Sequence, residues 1–322
     1  MKSELTRLSI ELTNTCNLSC LKCIHHGPWY KKQADHHPKN MDFDFFKDIV
    51  DQFMKMPGET KHISLQFQGE PLMYPRIKEA YEYVQKKGAT FNITTNGMLM
   101  DKEMTNFLLG LSGLQQVSFS VDGYTAETNE KIRVGVNHQK LLGNIHYFIK
   151  EASENRPDLY IGVNMVLMEE NKHEYGDFIY YWTLIREIHT WVTIVTDEEG
   201  IPTKKYWDPP EKLICKSPFT FLVVLTNGEV IPCCRDHSYE MIMGNLHTYF
   251  LGEIWRGLKY KILRNIQESQ IWNEVKPYLC YNCDTWMGDY TETLIKREFF
   301  DENILIKQGP YWEEAILLQE NR

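Results

Sequence analysis

The sequence has no long apolar run. None of its 322 residues sit in a stretch approaching the ~18 consecutive apolar residues of a spanning helix. The opening MKSELTRLSIELTN also lacks the apolar core of a secretory signal. No membrane association is therefore expected, and the expected compartment is the cytoplasm, where thiols stay reduced. An excess of basic residues is missing too, with 35 Lys and Arg against 44 Asp and Glu for a net charge of -9. That balance argues against nucleic acid as the main partner, because a phosphate backbone calls for a basic surface. Internal repeats and low-complexity tracts are absent, which excludes solenoid architectures and compositionally driven disorder. The N-terminus reaches its first β-like run almost at once, without a recognition domain for a peptide leader. This favours a small-molecule substrate, or a peptide delivered by a separate partner.

What is present is ordinary globular composition, 43% hydrophobic and 25% charged, in a chain long enough for a large core. Short β-like runs alternate with helical patterns. Strands are expected at 7–13, 62–67, 90–95, 116–121, 160–167 and 191–196. The helical segments between them include 42–56, where Phe45, Phe46, Ile49, Val50 and Phe53 recur at helical spacing. The others are 76–88, 102–111, 138–152 and one from Glu174 to Ile188. Six β/α units imply a parallel sheet with helices outside, as an open sheet or a partial barrel. Functional groups then gather at the C-terminal strand ends. Residues 197–212, rich in charge, Pro and Gly, read as a linker. FTFLVVLTNGEVIPCC follows, a hairpin centred on Asn227-Gly228. Residues 252–266 read as a helix, and 291–322 as a C-terminal extension without legible chemistry.

Eight cysteines in a reducing compartment point to metal ligands or reactive thiols rather than disulfides. Cys16, Cys20 and Cys23 form a C-x3-C-x2-C loop directly after the first strand. A [4Fe–4S] cluster normally takes four thiolates; three on one loop can hold three irons and leave the fourth open to a small molecule. A zinc knuckle completed by His25 or His26, or plain buried thiols, remains an alternative on spacing alone.

This loop resembles the hallmark of the radical S-adenosylmethionine (SAM) superfamily. The resemblance implies an α/β fold, a partial (β/α)6 TIM-like barrel. It implies a three-cysteine [4Fe–4S] cluster whose open iron binds the amino and carboxylate groups of SAM. Reduction of that cluster, by a donor of flavodoxin or ferredoxin type, cleaves SAM to a 5′-deoxyadenosyl radical that abstracts hydrogen from substrate. Lys22 departs from the aromatic residue the family often carries before its third cysteine, which puts the usual ring contact with adenine in doubt. Further matching motifs follow in order. QGEP (68–71) resembles the family's G-G-E-P, with Gly69 allowing close backbone approach to SAM and Glu70 accepting from the methionine ammonium. TTNG (94–97) contributes Asn96, and SVDG (120–123) contributes Ser120, placed for a ribose hydroxyl, and Asp122. Arg133 resembles a family arginine that pairs with the methionine carboxylate, and the backbone of Val166 is expected to meet adenine. Read singly, Asn-Gly and Asp-Gly are turns, Arg133 is a solvated charge and Glu70 is a helix cap.

Cys215, Cys233, Cys280 and Cys283 could close a second site, iron–sulfur or zinc, since spacing does not separate the two. With NGEVIPCC, MGNL, GEIW and CYNC they resemble the SPASM/twitch extension of radical SAM enzymes. No cysteine follows Cys283, so the resemblance implies the shorter twitch form, with one auxiliary [4Fe–4S] cluster in residues 213–290. Cys234 is left over. It is either a small buried hydrophobe or a catalytic thiol that returns a hydrogen atom to a substrate radical, as in related epimerases. The expected function is hydrogen abstraction from a carbon of a polar substrate (sugar, aminocyclitol or peptide), leading to epimerisation through Cys234. The alternatives are two-electron dehydrogenation using the auxiliary cluster as acceptor, or a non-catalytic Fe–S or zinc protein.

Overall fold

A computed structural model of the chain describes residues 2–28, 38–185, 214–271 and 280, together with the backbone of 188–194. The expected linker, the C-terminal extension and Cys283 lie outside the described residues. Six parallel strands follow the chain order: β1 (Arg7–Ile10), β2 (His62–Ser64), β3 (Thr90–Thr95), β4 (Leu114–Ser120), β5 (Tyr160–Leu167) and β6 (Ile188–Ile194). They form the sheet of a partial (β/α)6 barrel. Helices α1 (Phe43–Met54), α2 (Ile77–Lys86), α3 (Lys102–Leu109), α4 (Ala126–Ile132), α5 (His138–Asn155) and α6 (Tyr175–Thr183) connect them. Among the described residues no helix is long and apolar enough to cross a membrane.

Strand periodicity gives the sheet two unlike faces. Leu8, Ile63, Phe91, Val117, Ile161 and their i+2 neighbours are buried in one core with the apolar stripes of the helices. In α1 that stripe is Phe46, Ile49, Val50 and Phe53, behind an N-cap in which Asp42 accepts from the Phe45 amide. The intervening strand residues are polar and bond to one another across the inner face. His62 contacts Thr90 Oγ1 and Asn92 Oδ1, both at 3.0 Å, and Gln66 donates to Thr94 Oγ1 at 2.9 Å. The result is a trough lined largely by uncharged hydrogen-bonding groups, with Arg7 at its start.

The expected hairpin is present as β7 (Phe221–Val224) and β8 (Glu229–Ile231), with Gly228 at a φ of 82° in its turn. Its first strand joins the barrel sheet, pairing in parallel with β1 along Arg7↔Phe221 to Ile10↔Val224. A short β9 (Gly244–Asn245) completes the order β6-β5-β4-β3-β2-β1-β7-β8-β9. The helix expected over 252–266 is two helices, α8 (Leu251–Arg256) and α9 (Leu258–Ser269), separated at Gly257, whose ψ of 168° is extended. A one-turn α7 (Ser217–Thr220) precedes β7; by chain order it lies between α6 and α8. Helix α4 carries the polar sequence AETNEKI and offers no apolar period. Its cap, Thr125 Oγ1 accepting from the Thr128 amide, defines it instead. The first two strands stop short of Thr13 and Phe67, and the sixth lies at 188–194 rather than 191–196.

Where β1 ends, Glu11 fastens it to the hairpin. Its amide donates to the Val224 carbonyl at 2.9 Å, and its Oε2 accepts from the Thr226 amide at 3.2 Å. The carboxyl is fully buried and Oε1 has no hydrogen-bond partner. Burial pushes it up to about 7, against the opposing backbone bonds of Thr226 and Gln68. An acid whose pKa is raised by folding costs nothing below its unfolded value near 4.5. The cost grows as pH rises through 7, to about 3 kcal/mol. Stability of the anaerobic protein is therefore expected to fall between pH 5 and 8. Glu11→Gln, which keeps the acceptor and removes the charge, should flatten that fall in urea unfolding. An unchanged pH slope in the variant would refute the assignment.

Candidate active site

The three-cysteine loop lies at the C-terminal end of β1 and is held by the exit of α4. The Ser19 amide donates to the Val134 carbonyl at 2.9 Å, and the Leu21 amide to the Ile132 carbonyl at 2.8 Å. Cys16, Cys20 and Cys23 are half-buried. The His26 amide reaches Cys23 Sγ at 3.3 Å, and Asn96 Nδ2 lies 3.9 Å from Cys16 Sγ. Burial raises the Cys20 thiol to about 11, with Arg133 opposing, and raises Cys16 as well. Cys20 also feels Cys23 and Cys16, and Cys16 feels Cys23.

Beside the loop stands a buried ion pair. Arg133 Nη1 donates to Asp122 Oδ2 at 2.7 Å, and the two side chains are 12% and 6% exposed. Burial alone would lower the guanidinium; Asp122 and then Cys20 outweigh it and hold the pKa above its ordinary value. Asp122 Oδ1 accepts from the Val166 amide at 2.8 Å, so one carboxylate joins the ends of β4 and β5 to Arg133. Asn171, fully buried, donates to the carbonyls of Asp122 and Val166. Glu174 accepts from the Tyr124 and Thr125 amides and the Thr128 hydroxyl, and so anchors the start of α4. Neither Asn171 nor Glu174 stood out in the sequence, where an Asn or Glu after a strand reads as a surface residue. Ser120 is half-buried at the end of β4, aligned with Asn164 on β5.

Three residues expected to meet SAM have partners or close neighbours within the protein. Glu70 is 3% exposed, and its carboxylate already accepts from the Leu72 amide, the Thr95 hydroxyl and the Asn96 amide. It makes the cap that the sequence left as an alternative and also ties the segment to the end of β3. Gly69 is required for backbone packing, since a Cβ there would stand 2.4 Å from the Thr13 carbonyl and 2.6 Å from that of Thr15. Its close neighbour is thus the approach to the cysteine loop. The Val166 amide donates to Asp122 and its carbonyl accepts from Asn171. Asn96 likewise buttresses the loop, donating to Asn17 Oδ1 at 2.7 Å.

Of the second set of cysteines, Cys215 and Cys233 lie at the other end of the trough. Cys215 precedes β7 and Cys233 follows the antiparallel β8, so both sit level with the start of β1. Both face α9: the Cys215 amide donates to Gln267 Oε1 at 3.1 Å, and Cys233 acts electrostatically on Tyr260, two turns earlier. Cys280 packs on the edge of the main core. Cys234 is solvent-accessible yet densely surrounded by protein, as on a cavity wall, and burial raises its thiol. Arg235, and more weakly Arg7, oppose that rise. The segment after Cys234 turns back towards the first loop. His237 stacks on Phe67 with ring centroids 6.0 Å apart and lies 5.7 Å from His25. Burial holds His25 at about 3 and His237 at about 4, so both imidazoles are neutral. This bridge of His25, Phe67 and His237 was not legible in the sequence, because its members come from three separate strand ends.

The residues fit the cofactors the motifs imply. Three half-buried thiols on one loop suit a cluster that spreads its ligands over separate irons. Among the described residues no three such side chains converge on a single ion, and a cubane asks for no such convergence. Arg133 Nε is buried without a hydrogen-bond partner, beside Cys16 and Cys20. It is a ready donor for an anionic ligand group such as the carboxylate of SAM. Removing its partner carboxylate would strand a buried cation. Asp122→Ala should cost about 3–5 kcal/mol in urea unfolding and weaken SAM binding by at least tenfold; a stability change within experimental error would exclude the pair as a structural anchor.

Comparison with known proteins agrees with this geometry. The family model of the Radical SAM superfamily matches residues 10–179, and that of the SPASM iron–sulfur cluster-binding domain matches residues 215–284. The chain is 27% identical to the tungsten-containing aldehyde ferredoxin oxidoreductase cofactor-modifying protein of Pyrococcus furiosus, over 82% of this chain and 85% of that one. It is 22% identical to the S-adenosyl-L-methionine-dependent 2-deoxy-scyllo-inosamine dehydrogenase of Niallia circulans, over 88% and 94%. In fold it resembles anSMEcpe with bound AdoMet, at a TM-score of 0.64 and 16% identity over 99% of this chain and 96% of that one. It also resembles BtrN in complex with AdoMet and 2-DOIA, at 0.58 and 19% over 88% and 94%. This chain belongs to the radical SAM superfamily and is a radical SAM enzyme, with a SPASM-type region for auxiliary iron–sulfur binding.

Proposed function

We propose that this enzyme oxidises a hydroxyl-bearing carbon of a polar substrate by two electrons. The observation that carries the reading is the placement of Cys215 and Cys233 at the end of the trough opposite to Cys16, Cys20 and Cys23. Its extended similarity to an aminocyclitol dehydrogenase supports it. When bound and reduced by an external flavodoxin- or ferredoxin-type donor, the first cluster with SAM supplies hydrogen-atom abstraction from carbon.

Cys16, Cys20 and Cys23 hold that cluster, and Arg133, fixed by Asp122, orients the SAM carboxylate. The polar inner face binds the substrate hydroxyls and fixes which carbon meets the radical. A carbinol carbon that has lost its hydrogen atom becomes a carbonyl by giving up one electron and the hydroxyl proton. Cys215, Cys233, Cys280 and Cys283 of residues 213–290 would hold an auxiliary [4Fe–4S] cluster, which would supply the electron acceptor. His237 takes the proton: it is neutral, and its Nδ1 is buried without a hydrogen-bond partner.

One observation favours a second reading, epimerisation. Cys234 presents an accessible thiol beside Cys233, and a thiol S–H can return a hydrogen atom to a carbon radical. Anaerobic turnover in deuterated water separates the two. Oxidation gives a product lighter by two hydrogens, is indifferent to Cys234→Ala, and slows by about 10²–10⁴ in His237→Ala while uncoupled SAM cleavage persists. Epimerisation gives an oxidation-neutral product carrying one solvent deuterium, lost in Cys234→Ala. The second pattern would overturn the oxidase reading.

A further inference from the structure

The end of the trough remote from the three-cysteine loop opens into a cavity of about 470 Å³ whose lining includes Arg7, Glu59, Lys61, His62 and Thr90. Its charged groups differ in what they have left to offer. Lys61 spends its amine on the Leu5 and Pro57 carbonyls, both at 3.1 Å, and lies over the Phe53 ring. His62 has both ring nitrogens engaged by Thr90 and Asn92, and burial keeps it neutral. Glu59 is exposed at the rim. Arg7 makes no ion pair or side-chain hydrogen bond with any described residue; its guanidinium lies 5.4 Å from the centroid of the Phe221 ring, which holds it in place. Two cations thus face one carboxylate, and the guanidinium alone keeps its full fork of donors.

Arg7 is aligned with His62 and Thr90 and belongs to the inner face. That row precedes Leu114 on β4, and Ser120, at the SAM end, lies six residues further on. At the rise of a parallel strand the two ends are about 20 Å apart. Between them β1 to β5 present no charged side chain, and Glu11, which follows β1 on the same face, is buried against the hairpin. A substrate group that balances Arg7 is therefore anionic, and a spacer separates it from the reacting carbon.

We propose that Arg7 and the cavity around it are an anion subsite, taking a phosphate or carboxylate at the far end of an elongated polar substrate. The inference deepens the reading of the trough as the place of carbon oxidation and rests on it. It selects a phosphorylated or carboxylated conjugate over a free monosaccharide. A planar guanidinium held on an aromatic ring is suited to bidentate recognition of either anion.

The test is calorimetric titration of the SAM-loaded holoenzyme with inorganic phosphate and, separately, with acetate. Wild type, Arg7→Gln, Arg7→Lys and Lys150→Gln are compared, the last being an exposed control on α5. One of the two anions should bind wild type and the control alike, at least tenfold more weakly in Arg7→Gln, and with intermediate affinity in Arg7→Lys. Which anion binds identifies the group. Equal binding in wild type and Arg7→Gln, or none in wild type, would sink the proposal. Because binding is read without turnover, its outcome is independent of the product analysis that tests the oxidation itself.

Discussion

The buried pair of Asp122 and Arg133 is the contact on which the site depends. One carboxylate binds the guanidinium at the exit of α4 and the Val166 amide at the end of β5, while its own backbone ends β4. The α4 exit in turn carries the backbone bonds that hold the cysteine loop. Two charges this deeply buried repay their desolvation only when their remaining hydrogen-bonding capacity is used. Each carboxylate oxygen of Asp122 has a partner within the protein. Arg133 differs, since its Nε is left without a partner. That imbalance makes the pair a scaffold with one donor reserved for a ligand.

The second organising constraint is the two-residue period of the strands. On β1 to β5 it puts every second side chain in the apolar core and the others on a polar inner face. Parallel pairing then gives this trough two chemically distinct ends. Strand exits carry the first three thiols. Because β7 joins β1 in parallel and β8 returns, Cys215, Cys233 and Cys234 are carried to the opposite end. The turn back through His237 spans the interval with neutral, largely aromatic groups.

The unshared burden of this arrangement falls on Glu11. It fixes the hairpin to β1 and thereby sets the relative position of the two thiol sets, yet it leaves one carboxylate oxygen unsatisfied in a fully buried place. Such a group is expensive when ionised. Its retention is explained by position: it is the point where the end of β1, the QGEP segment and the hairpin turn meet.

Much of the fold could be read directly from the chain. The alternation of apolar periods of two and 3.6 identified six β/α units, and Asn227-Gly228 identified the hairpin, because these signals are local. The cysteine spacing and its position after the first strand were equally local, and they pointed to the family. Roles that depend on which hydrogen bonds are already spent were not legible. Glu70, Gly69 and Val166 sit in the expected motifs, but their polar groups or close contacts are consumed by neighbours distant in sequence. Likewise Arg7, Glu11 and His237 are ordinary residues until the sheet order sets each one beside its partners. The sequence by itself determined the elements and the cysteine chemistry, since both are written in short-range spacing. Only the tertiary structure decided which end of the trough each thiol occupies and which donors stay free, because strand order and desolvation are properties of the assembled sheet.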